Sequence, residues 1–100
     1  MVQRILVQTE SETKSSHRGR LDIIATILTF AVGGVRKTSI MYKCNLSFRQ
    51  LEIYLGFLLN KGLLKVFTKR ESATSQFFET TNRGIDFLRA YRNLAALMST

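Results

Sequence analysis

The sequence is poor in the residues that build covalent or metal-held chemistry. Its 100 residues include one cysteine, Cys44, and one histidine, His17. A single cysteine excludes a disulfide framework within the chain and any zinc site built on several thiolates. A single histidine excludes multi-histidine metal centres. Acidic residues are scarce as well: seven Asp and Glu stand against 15 Lys and Arg, a net charge of +8 and a pI of about 10.3. Long apolar runs are missing. The longest, Leu21 to Val35, covers 15 residues and is interrupted by Asp22, Thr26 and Thr29. A membrane span needs about 20. The start shows no basic segment followed by an apolar one, so no secretory signal is expected. These absences point to a soluble, reduced, cytoplasmic protein with no membrane contact.

What is present suits one small domain. Apolar residues make up 45% of the chain, and a chain of this size buries roughly 60–70% of the surface it exposes unfolded. It can fold without disulfides or a metal. The excess of positive charge calls for a polyanionic partner, most often nucleic acid. Enzymatic chemistry finds no support. There is no Cys/His pair of catalytic spacing, no Gly-rich phosphate loop and no acidic metal cluster. Gly33-Gly34 followed by Arg36-Lys37-Thr38 is not a Walker A loop, because the spacing is too short and Arg stands before the Lys. No cofactor and no small-molecule substrate are expected.

The chain divides by character. Residues 1–18 join a β-prone segment, Val2 to Thr9, to a polar, Ser-containing stretch, Glu10 to Arg18. They read as an arm and flexible linker, or as an extra strand pairing with a wing or a second subunit. They hold three basic and two acidic residues, so +7 of the +8 belongs to residues 19–100. Residues 19–81 read as one domain and 82–100 as a C-terminal helix suited to dimerisation.

Local signals order the elements. Helix 1 is expected from about Gly19 to Val32. Its polar residues Asp22, Thr26 and Thr29 form a narrow strip, so it is buried on more than one side. Gly33-Gly34 ends it. A short extended piece, Val35 to Lys37, leads to Thr38 as the cap of helix 2, Ser39 to Cys44, which Asn45 stops. Ser47-Phe48-Arg49-Gln50 fits a capping box, with Leu46 and Leu51 as a hydrophobic staple. Helix 3 then runs from Phe48 to Lys61 and stops at Gly62. Phe48, Leu51, Leu55, Leu58 and Leu59 share its inner face. Strands Leu63–Thr68 and Gln76–Thr80 flank a polar tip, Lys69 to Ser75. Thr81 caps helix 4, Asn82 to Met98. The result is mainly α, within the α+β class: a winged helix-turn-helix with an added C-terminal helix.

The segment Lys37-Thr38-Ser39-Ile40-Met41-Tyr42-Lys43-Cys44-Asn45-Leu46-Ser47 resembles the archaeal winged-helix family of the Sulfolobus ten-kilodalton "10a" chromatin proteins. Arg20-Leu21-Asp22-Ile23-Ile24, Lys61-Gly62-Leu63-Leu64 and Thr81-Asn82-Arg83-Gly84 are further points of likeness, over about Arg18 to Met98. The resemblance implies DNA binding and a dimer held by an antiparallel coiled coil of C-terminal helices. This chain departs from the family in its short helix 4 and its longer N-terminal arm.

Helix 3 is the recognition element of such a motif. Its outward residues should be Arg49, Gln50, Ile53, Gly56, Phe57 and Asn60, with Tyr54 and Lys61 at the margins. Arg49 and Gln50 could read guanine and adenine, or Gln50 could serve the capping box alone. Lys69 and Arg70 mark the wing tip, Arg36, Lys37 and Lys43 surround helix 2, and Arg18 and Arg20 precede helix 1. Arg18, Arg20, Arg36, Lys37, Lys43, Arg49, Gln50, Lys61, Lys69 and Arg70 form the expected surface for double-stranded DNA. On helix 4, Ile85, Leu88 and Ala95 can dock on the domain. Phe87, Tyr91, Leu94 and Met98 follow coiled-coil spacing and form the expected homodimer seam, or join one wide face on a single core. Cys44 is expected to be a buried structural residue, and His17 a solvated one. Three functions are compatible with these features: a low-specificity, nucleoid-associated architectural DNA-binding protein; a transcription regulator reading a short palindrome with Arg49 and Gln50; or a protein-interaction module using Ile53, Tyr54 and Phe57.

Overall fold

A computed structural model describes residues 19–69 and 72–99. The expectations for residues 1–18, with Arg18 and His17 among them, and for Arg70 lie outside these residues. The elements are α1 (Arg20–Phe30), β1 (Val35–Arg36), α2 (Lys37–Cys44), α3 (Phe48–Asn60), β2 (Leu64–Lys69), β3 (Ser72–Thr80) and α4 (Asn82–Ser99). The sheet order is β1-β3-β2, antiparallel throughout. This is the helix, strand, helix-turn-helix, hairpin and helix order expected from the sequence.

The core lies where the three helices meet the inner face of the sheet. α1 contributes Ile24, Ala25, Ile27 and Leu28, α2 contributes Ile40 and Cys44, and α3 contributes Leu51, Leu55 and Leu58. Leu64 and Phe78 close it from the sheet and Leu88 from α4. Ile27, Leu28, Ile40, Leu51 and Leu58 are fully buried, each worth about 1.5–3 kcal/mol relative to exposure. Cys44 is buried among them, as expected.

The turn between α2 and α3 follows the local code closely. Asn45 is left-handed at φ 54°, and the Leu46 N–H donates to the Met41 carbonyl at 3.1 Å. The capping box is complete: the Gln50 N–H donates to Ser47 Oγ at 3.1 Å, and the Ser47 N–H donates to Gln50 Oε1 at 2.9 Å. Leu46 and Leu51, the expected staple, are both buried. At the far end of α3, Gly62 takes φ 74°. Its N–H donates to Leu59 and that of Leu63 to Leu58, a Schellman stop. Thr81 caps α4 by accepting from the Gly84 N–H at 3.0 Å, and its hydroxyl donates to the Gly62 carbonyl at 2.6 Å.

Several expectations need correction. α2 starts at Lys37 with Arg36 at its N-cap, so Thr38 lies inside the helix and does not cap it. Pairing of Arg36 with Phe77 in the sheet fixes where the extended chain ends. α1 ends at Phe30, before Val32, because the Thr80 N–H bonds the Ala31 carbonyl and draws the chain to the sheet. Phe48 is exposed rather than part of the inner face, since the first turn of α3 projects beyond the core. Ala95 is exposed as well, because α4 runs past the body of the domain after Tyr91. Finally, the hairpin has no seven-residue tip. β2 reaches Lys69 and β3 begins at Ser72, paired with each other after a register shift between Thr68 and Lys69. Main-chain bonds carry a ladder, so a run of polar residues need not stop it.

Candidate nucleic-acid interface

The outward face of the sheet is set by strand alternation. Arg36 pairs with Phe77 on β3, and Phe77 pairs with Phe67 on β2, so the three side chains form one row. The Phe67 and Phe77 rings stack with centroids 5.7 Å apart. The Arg36 guanidinium lies 5.3 Å from the Phe77 ring centre and Lys69 Nζ lies 4.6 Å from it. Two cations from different strands therefore converge on one ring. Each gains about 0.5–1 kcal/mol from the ring at an exposed site, and each is held in place without losing its charge. Gly34, at φ 89°, runs close beneath: a Cβ there would meet the Phe67 ring at 3.4 Å.

A second group sits where α2 meets α3. Lys37 Nζ donates to Glu52 Oε2 at 2.6 Å and lies 5.8 Å from the exposed Phe48 ring. Arg49 and Gln50 are exposed on the first turn of α3, with the carboxamide oxygen of Gln50 engaged in the capping box. On the opposite flank of α3, Arg20 and Ile24 of α1 form a shallow groove of about 310 Å³ with Gln50, Ile53, Tyr54 and Phe57. Arg20 thus joins the recognition helix, although it is 30 residues away in sequence from Gln50. Lys61, at the end of α3, lies 5.8 Å from the Phe57 ring, and its carbonyl accepts from Arg83 Nε at 3.0 Å. That places two cations at the negative end of the α3 dipole.

Lys43 is set apart from these groups. It lies 5.7 Å from the Phe30 ring, in a cleft of about 450 Å³ that Arg92 and Tyr91 also line. The seam residues of α4 divide. Phe87 and Tyr91 are half-buried, packed on the core and stacked at 6.4 Å from each other. The Tyr91 hydroxyl donates to Asp22 of α1, and this bond, followed by burial and the Asp22 charge, raises the Tyr91 pKa above its ordinary 10.0. Leu94 and Met98 are 52% and 79% exposed, and Leu97 beside them is 74% exposed. A groove of about 570 Å³ runs between this end of α4 and Leu21 at the start of α1.

Sequence reasoning missed Phe67, Phe77, Glu52 and Arg83. For the two phenylalanines the signal was available, as one per strand at alternate positions. Arg83 lay in a segment already singled out. Glu52 follows Arg49 by three residues, which makes them neighbours on a helix.

Residues 17–99 match the winged helix-turn-helix family. Solved structures of the same fold include that of Sso10a-2, a DNA-binding protein from Sulfolobus solfataricus. It is 20% identical with a TM-score of 0.71, and the match covers 82% of this chain and 83% of that one. A complex of MepR from S. aureus with DNA is 15% identical at a TM-score of 0.67, covering 81% and 71%. The transcriptional regulator PcaV from Streptomyces coelicolor is 16% identical at 0.68, covering 77% of this chain and 58% of its own. At such identities the likeness is one of fold, and the chain spans under two thirds of PcaV. No curated protein matches the chain. The expected winged helix-turn-helix family and fold are thus both found.

Proposed function

The chain belongs to the winged helix-turn-helix family, and on that premise we propose that it binds double-stranded DNA as a homodimer. Contact is mainly with the backbone, sequence specificity is low, and the role is architectural, in association with the nucleoid and without enzymatic activity. The observation that carries this reading is the convergence of Arg36 and Lys69 on Phe77. Two pre-ordered cations on an exposed sheet face suit adjacent phosphates, and phosphate contacts position a protein without reading sequence. Arg20, Arg49 and Lys61 along α3 extend the same charge. That DNA is named for both Sso10a-2 and the MepR complex agrees with it.

The alternative regulator reading relied on Arg49 and Gln50, and engagement of Gln50 in the capping box weighs against it. The interaction-module reading draws support from the exposed Ile53 and Phe57 beside the α1 groove. The homodimer draws support from Leu94 and Met98, large apolar side chains exposed at the end of α4.

The test is a salt titration of binding to several unrelated duplexes. Equal affinities with a steep slope are expected, because each neutralised phosphate contributes about −0.9 to the slope of log K against log salt. The double substitution Arg36→Ala, Lys69→Ala should flatten the slope by about 1.8. A strong preference for one duplex would favour the regulator, and no binding at low salt would leave the interaction module.

A further inference from the structure

We propose that Glu52 is a specificity-determining residue of α3: it holds Lys37 away from the backbone, and accepts from a cytosine amino group once a phosphate has taken Lys37. This inference rests on the duplex-binding reading above. It explains a feature which that reading leaves unused, an acid on the helix that should face a polyanion.

Glu52 is the sole acidic residue of α3, FRQLEIYLGFLLN. It is neither buried nor idle. Its side chain is 44% exposed, and its Oε2 lies 2.6 Å from Lys37 Nζ, itself 36% exposed. A pair this open to solvent contributes little to stability, so its partners can be exchanged at low cost. Lys37 begins α2 beside Arg36, whose neighbour on the Phe77 ring is Lys69. A backbone strand lying along Arg36 therefore passes close to Lys37. While Glu52 keeps Lys37, that cation is already neutralised and releases no counterion on binding. A duplex bound in that state has one effective phosphate contact fewer.

The same exchange exposes Glu52 to bases. Gln50 spends its carboxamide oxygen on the Ser47 N–H, so Arg49 and Glu52 are the charged side chains of the exposed first turns of α3. Three residues of helix rise about 4.5 Å, close to the roughly 3.4 Å between base pairs. Arg pairs with the guanine O6 and N7 edge, and Glu accepts from cytosine N4. The two together fit neighbouring G·C pairs. An A·T-only duplex offers no cytosine amino group, so Glu52 there keeps Lys37 and that phosphate contact is not made. The residue sets a residual G·C preference on a backbone-binding surface.

The experiment measures binding of the full chain to an A·T-only duplex and a G·C-rich duplex of equal length, by fluorescence anisotropy across a salt series. Wild type, Glu52→Gln, Lys37→Met and the double variant are compared. Wild type should prefer the G·C-rich duplex. Glu52→Gln should raise affinity for the A·T duplex about eightfold near 0.1 M salt and steepen its salt slope by about 0.9, the effect of one added phosphate contact. Its G·C preference should shrink. In the Lys37→Met background, Glu52→Gln should leave the slope unchanged and still reduce the preference. The inference is overturned if wild type binds and Glu52→Gln alters neither slope nor preference, or if the slope change persists without Lys37. If wild type binds neither duplex at low salt, the duplex reading fails and this inference with it.

Discussion

Gly84 gives the most demanding test of the packing that sets α4 on the domain. It is the third residue of α4 and is buried. A Cβ built there would lie 2.4 Å from the Leu63 carbonyl oxygen and 2.6 Å from Thr80 Cγ2. Carbon–oxygen contacts settle at about 3.3–3.6 Å, so Gly84→Ala must push α4 and the sheet apart by about 1 Å. Neither wall yields easily. The Leu63 carbonyl accepts from the Thr81 N–H at 3.1 Å, and Thr80 is held at both its N–H and its hydroxyl. Overpacking costs typically 1–3 kcal/mol, and local strain on backbone places this site at the upper end. Alanine recovers about 0.8–1.0 kcal/mol through its helix preference. The expected net loss is about 1–2 kcal/mol, or a fall in Tm of roughly 5–15 °C for a domain of this size. The control is Gly56→Ala on the exposed face of α3, where a Cβ meets nothing within 4 Å. There the helix preference acts alone and Tm should rise by a few degrees. Thermal melts followed by circular dichroism at about 222 nm read both variants. A Gly84→Ala protein melting at or above the wild-type temperature would refute the close approach of α4 to the Leu63–Thr80 corner.

Three further outcomes are expected. Thr80→Val removes the hydroxyl that donates to the Leu28 carbonyl at 2.6 Å in a buried setting, and should cost about 1–3 kcal/mol in urea unfolding; an unchanged midpoint would mean that water serves the carbonyl. The Tyr91–Asp22 bond raises the Tyr91 pKa in the folded state, so its contribution is complete below the unfolded value of 10.0 and is lost as pH rises through the folded one. Wild type should therefore lose more stability than Tyr91→Phe between about pH 8 and pH 11, and parallel losses in urea midpoints would count against the bond. Leu94→Asp should convert a dimer to a monomer in light scattering at micromolar concentration, and a monomeric wild type would dispose of the α4 seam.

The parts legible in the sequence were those set by neighbours along the chain. Asn45, the Ser47–Gln50 box, Gly62 and Thr81 each act within a turn or two, and each took its expected conformation or bond. The inner face of α3 was readable from its spacing, except at Phe48, where the helix outruns the core. The hairpin tip was not legible, because a polar run suits a loop and a solvent-facing strand alike. The candidate interface was only half legible. Its cations could be counted, but grouping them depended on which strand pairs with which. Arg36 and Lys69 are 33 positions apart in sequence and meet only because β3 lies between β1 and β2.

By itself, the sequence determined the order of elements, their stops and caps, and the sign of the surface, because these arise from local backbone chemistry and side-chain charge. Tertiary structure alone decided which cations lie together. It set Arg36 and Lys69 on one aromatic ring, brought Arg20 to the flank of α3, seated Lys43 over the Phe30 ring of α1 and gave Lys37 a carboxylate partner in Glu52. The physical reason is distance. Charges interact over a few ångströms of space, and only packing of the sheet and helices fixes that separation.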